Sequence, residues 1–148
     1  MKYILLLLSI LFLVACSKTT PIPPKKKIQS TYVGKAYLET VDFHGQELIS
    51  VKIKNKFYYL RQNGKIIETL NYDGKADEFS DGLARTKVND KIGFFNRNLE
   101  IVLKPVYDFA FPFHNGIAEI CMGCKDNSDG LLAGGKWEKI NREGLIME

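Results

Sequence analysis

Phe79-Ser80-Asp81-Gly82-Leu83-Ala84 returns as Phe113-His114-Asn115-Gly116-Ile117-Ala118, 34 positions later. From the first copy the chain runs through the β-prone Leu83–Val88, the polar pair Asn89-Asp90, then Lys91-Ile92-Gly93-Phe94-Phe95. Arg97-Asn98 and Glu100-Ile101-Val102-Leu103-Lys104 follow. That order predicts strand, turn, strand, turn, strand. Upstream, Lys56-Phe57-Tyr58-Tyr59-Leu60 precedes Lys91–Phe95 by 35 positions, and Leu48–Ile53 lies over Leu83–Val88. Downstream, Lys136-Trp137-Glu138-Lys139-Ile140 follows Lys91–Phe95 by 45 positions, so an insertion falls between Met122 and Lys136. Asn63-Gly64 and Glu143-Gly144 mark further turns, Asn-Gly being a strong hairpin signal because both residues tolerate φ > 0. Nothing after residue 30 repeats with a helical period. The expected fold is all-β: tandem antiparallel hairpin or meander repeats of ~35 residues in one domain, residues 30–148.

The second strands are apolar at both parities, Phe57 and Tyr59 with Tyr58 and Leu60, and Phe94 with Phe95. Such strands are buried on both faces or pack one face on a neighbouring unit. Gly93 has no side chain, so a neighbouring aromatic is expected to approach its backbone. Phe-Ser-x-Gly-Leu-Ala, a polar turn, Lys-x-Gly-aromatic, an apolar strand and Pro105-x-Tyr107-Asp108 together resemble the WG (KWG) repeat of bacterial proteins. The resemblance covers roughly residues 44 to 146. Ile92 replaces the family's Trp, Glu138 replaces its Gly beside Trp137, and the first unit has neither. The resemblance implies a β-repeat architecture and brings no shared catalytic residues.

The N-terminus carries a different signal. Lys2 precedes an apolar run, Tyr3 to Ala15, interrupted only by Ser9. This is the layout of a secretory signal peptide and is short for a spanning helix of about 20 residues. Leu13-Val14-Ala15-Cys16 resembles the lipobox of bacterial lipoproteins. That resemblance implies cleavage before Cys16, acylation of its thiol, attachment to a membrane and residence in the bacterial cell envelope, inner or outer membrane unresolved. Residues 1–15 would then be the signal peptide and 16–29 an acylated cysteine with a Pro/Lys tether. Pro21, Pro23 and Pro24 favour extended backbone, and Lys25, Lys26 and Lys27 would lie near the lipid surface.

The full chain has a formal net charge of +4, and losing Lys2 with the signal leaves +3. So small and dispersed a charge argues against a nucleic-acid partner. Cys121 and Cys124 would remain in an oxidising compartment, where a Cys-x-x-Cys pair predicts a local disulfide shaping a loop. A redox-active dithiol is the alternative, but it wants a thioredoxin-like βαβ context that an all-β chain lacks. Zinc would need two further ligands, and His44 and His114 belong to other units. Haem attachment wants His where Lys125 stands. The acidic residues of the insertion do not follow the EF-hand spacing. No cofactor, metal ligand set or catalytic residue is therefore expected, and His114 replaces Ser80 in a turn.

Trp137 has two readings: a core residue in the place of Ile92 and Phe57, or a contact for a partner beside the insertion. The sequence thus points to a non-catalytic binding or structural module held at the envelope, with an unidentified envelope protein or ligand as partner. The alternatives are an exported thiol–disulfide protein using Cys121 and Cys124, and a small inhibitor or immunity lipoprotein acting through the 123–135 loop.

Overall fold

The structure is a computed structural model that describes residues 31–127 and 131–148. The signal peptide, Cys16, the tether and residues 128–130 of the insertion lie outside the described residues.

Three larger antiparallel sheets follow one another along the chain, with two-stranded hairpins at Asn71–Tyr72/Lys75–Ala76 and Lys125–Asp126/Leu132–Ala133 beside them. The first pairs strands Leu48–Ile53, Lys56–Arg61 and Lys65–Thr69, with the short Thr31–Tyr32 strand added beside the third. The middle sheet comprises Leu83–Val88, Lys91–Asn96 and Ile101–Tyr107. In the last sheet the order is Phe109–Ala110, Ile117–Met122, Lys136–Asn141 and Ile146–Met147. The repeats are therefore antiparallel meanders, as the turn chemistry predicts. One element was not anticipated, a single helical turn at Lys35–Leu38. It is too short for any period to announce it, and Leu38 lies against Gly64 at the turn of the first sheet.

Local chemistry repeats with the units. Asn89 and Asp90 both take left-handed φ values of 51° and 61°, the conformation that a two-residue hairpin of matching twist requires. At the second turn of each sheet, Gly64, Leu99 and Gly144 occupy one equivalent place, all with positive φ. Each donates its N–H to the carbonyl three residues earlier, of Arg61, Asn96 and Asn141. The Asn96 and Asn141 side chains each accept two further backbone N–H groups there.

Two apolar layers separate the three sheets. Ile67, Tyr59, Phe79, Ala84, Phe95, Leu99 and Ile101 fill the layer between the first and middle sheets. The layer beyond holds Leu83, Ile92, Phe94, Leu103, Phe113, Ile120 and Ile140. Adjacent Phe94 and Phe95 are both fully buried, facing opposite layers, so the middle sheet is covered on both sides. The aromatic contacts repeat too: Tyr59 meets Phe79 at 4.7 Å, and its equivalent Phe94 meets Phe113 at 4.8 Å.

Gly93 is approached by backbone, and no aromatic fills the space. A Cβ there would lie 2.6 Å from the Leu103 oxygen and from the Pro105 nitrogen. The pairing shifts between Ile92 and Phe94, and this bulge carries the neighbouring strand over the glycine.

A buried ion pair spans the junctions. The Arg85 Nε donates to Asp77 at 3.0 Å and its Nη1 to the Ala110 carbonyl at 2.8 Å. Asp77 also accepts the Arg85 backbone N–H, and Tyr59 Oη donates to the Asp77 carbonyl at 3.0 Å. Burial, and then the Asp77 charge, raise the Tyr59 phenol above its ordinary range.

Candidate interaction surface

The strands of the last sheet have an inner face, with Ala110, Ala118, Ile120 and Ile140 in the core, and an outer face that no sheet among the described residues covers. Register fixes what the outer face carries. Phe109 is opposite Cys121, which is opposite Trp137. One row on, the Phe111 N–H bonds the Glu119 carbonyl, Glu119 is opposite Lys139, and Lys139 is opposite Met147. Directly paired residues in an antiparallel sheet share a face, so these two rows form one surface.

Trp137 is 39% exposed. It belongs to this outer face and not to the core that Ile92 occupies, because its strand meets the inner layer through Ile140. Its ring lies 5.9 Å from Phe109 and 6.3 Å from Phe111, and those two rings are 5.0 Å apart. Eight of the thirteen exposed large hydrophobic side chains among the described residues follow residue 110, so apolar exposure is concentrated in this last unit.

Cys121 and Cys124 form a disulfide with Cα atoms 6.0 Å apart, as the spacing predicts. It stands at the base of the insertion, from which Lys125–Asp126 and Leu132–Ala133 project as a small hairpin. Both sulfur-bearing residues are buried. Gly134 and Gly135 pass directly over them. The Cys124 Sγ is 3.2 Å from the Gly134 oxygen, an S···O contact since a disulfide has no hydrogen to donate. A Cβ on Gly135 would lie 2.7 Å from the Cys121 Sγ.

Asp108 locks this corner. Its carboxylate pairs with the Lys91 ammonium and accepts the Gly123 N–H between the two cysteines. Those bonds, the one from Lys91 first, hold its pKa below the ordinary carboxylate range, against a smaller opposing effect of burial. Beside it, a groove of about 720 Å³ separates the insertion hairpin from the middle unit, bordered by Tyr72, Lys87, Asp108 and Lys125.

Among the sequence-predicted residues, Trp137 and the disulfide therefore meet on one face, whereas His114 is in the turn equivalent to that of Ser80. Sequence reasoning missed Phe109, Phe111 and Asp108. The signal was present: Phe109 and Phe111 stand where the middle unit has Lys75 and the buried Asp77, so aromatics replace two charged residues at equivalent positions.

The WG containing repeat is the family whose model matches this chain, at residues 59–91 and 92–131. Residues 59–131 are WG-repeat sequence. Each match begins within the second strand of one sheet and runs into the next unit, so a WG repeat here spans a junction between sheets. The match ends before Lys136. There the geometry carries the equivalence, since Lys136–Asn141 pairs with Ile117–Met122 in the register by which Lys91–Asn96 pairs with Leu83–Val88. No curated protein and no solved structure matched.

Proposed function

We propose that this chain is a bacterial lipoprotein, acylated at Cys16, whose WG-repeat domain is a non-catalytic module that binds a protein partner at the cell envelope. The observation that supports the binding role is the outer face of the last sheet, where Phe109, Phe111 and Trp137 touch one another with two of them well exposed. Clustered, exposed aromatics on an uncovered face are the composition of binding hot spots. They stand on paired strands, so ordering them on binding costs little entropy. The anchor rests on the sequence of residues 1–16 alone.

Two measurements test the two halves. Metabolic labelling with a clickable fatty acid should mark the wild type and spare Cys16→Ser; an unlabelled wild type would overturn the anchor. Co-purification from crosslinked envelopes should recover a protein with the wild type and less of it with Trp137→Ala. Equal recovery would overturn the surface. The thiol–disulfide alternative is disfavoured by the burial of both cysteines, which shields the bond from an attacking thiolate.

A further inference from the structure

We infer that the outer face of the last sheet is self-complementary and that its partner is a second copy of this chain, packed face to face about a two-fold axis. This rests on the reading of that face as a binding surface and names its occupant. Stacking within the chain sets the precedent. The middle sheet presents Leu83, Ile92 and Phe94 toward the last unit and is covered there by Ile120 and Ile140. At the same places the last sheet presents Ile117, Trp137 and Lys139, which are exposed and, among the described residues, covered by no other sheet.

At the opposite end part of the far face of the first sheet is covered from within the chain. Leu60 and Ile66, opposite each other on the first sheet, are buried; Thr31 and Tyr32 pair alongside, and Val33 and Leu38 lie against Gly64. That cover makes the far face the poorer match for the exposed outer face of the last sheet, which therefore meets its own kind. A closed pair of identical faces results.

The second row of the face supplies the complementarity. Across the four strands it reads Phe111, Glu119, Lys139, Met147. A two-fold axis in the interface plane, parallel to the strands and midway between the Ile117–Met122 and Lys136–Asn141 strands, reverses this order in the second copy. Phe111 then covers Met147 of the other copy, and Glu119 covers Lys139 of the other copy. Each contact occurs twice: sulfur on aromatic ring and acid on base. All four side chains are exposed, and among the described residues Glu119 and Lys139 have neither an ion pair nor a side-chain hydrogen bond. Four strands at ~4.8 Å and six residues at ~3.4 Å project at most about 400 Å² of face. That is roughly half of the ~800 Å² per partner of a stable complex, so the pair is weak and concentration-dependent.

Full-length protein in detergent tests this by sedimentation velocity over a concentration series. Wild type should shift from monomer to dimer. Glu119→Lys and Lys139→Glu should each weaken association by roughly tenfold or more through like-charge contact, and the double swap should restore it. Carbodiimide treatment of mixed light and heavy-isotope wild type should join Glu119 of one isotope to Lys139 of the other. A wild type that stays monomeric, single reversals without effect, or conjugates confined to one isotope would each overturn the second copy as partner. If the chain is monomeric while Trp137→Ala still lowers envelope capture, the binding surface stands and only this occupant falls. If capture is unchanged as well, both fall.

Discussion

On the side that looks toward the C-terminal end, the middle sheet carries Leu83, Ile92 and Phe94, while the last sheet carries Ile117, Trp137 and Lys139 at the same three places. The strand plan and register are shared, yet the first set is buried and the second is exposed. Two further exchanges follow the same line: Arg85 becomes Glu119, and the buried Asp77 becomes the exposed Phe111. Lys139 and Glu119 suit an outer face that water reaches. Aromatics do not. Their presence on this exposed face is the observation on which the proposed binding role rests.

The largest expected difference between the two sheets lies at Phe94. Phe94→Ala should cost about 3–5 kcal/mol in urea unfolding, because the ring is fully enclosed between sheets. Lys139→Ala, at the equivalent place, should stay within about 0.5 kcal/mol. Similar losses at both positions would mean that the last sheet is covered after all. Asp77→Ala should also cost about 3–5 kcal/mol by stranding the buried Arg85 guanidinium. An Asp77→Leu, Arg85→Met double variant should recover much of that loss.

Replacing both Cys121 and Cys124 by Ser opens only a four-residue ring, so the chain-entropy account gives a loss of about 2 kcal/mol. Hydrogen exchange should then rise in the insertion and around Trp137 while the middle sheet keeps its protection. A loss spread evenly over all three sheets would contradict the local role of the bond.

Asp108 gives a smaller, pH-dependent effect. Its folded-state pKa is the depressed one. The stabilisation it brings is therefore complete above the unfolded value of ~3.9 and fades as pH falls through the folded value. Below about pH 4 the wild type should lose melting temperature more steeply than Asp108→Asn; parallel slopes would remove Asp108 from the account.

How much of this was legible in the sequence depends on which force set each feature. The units and their turns follow from β-prone runs and turn residues, and the two-sided burial at Phe94 and Phe95 from apolar residues at both parities, all of which act locally. Leu99 escaped notice because a non-glycine residue holds the left-handed turn position that Gly64 and Gly144 hold elsewhere, kept there by its burial. The neighbour of Gly93 was misjudged because a bulge in the adjacent strand leaves no periodic mark. The disulfide could be read from the Cys-x-x-Cys spacing. The aromatic face could not, since Phe109, Phe111 and Trp137 meet only through the pairing of three strands, one of them beyond the insertion.

The proposed contact through the outer face of the last sheet is tested most directly by photo-crosslinking in intact cells. A photoreactive phenylalanine would replace Trp137 in one version of the full chain and Lys52, an exposed residue of the first sheet, in another. Discrete crosslinked species should form from position 137 and be absent from position 52. Adducts from position 52 alone, or none from 137, would contradict it.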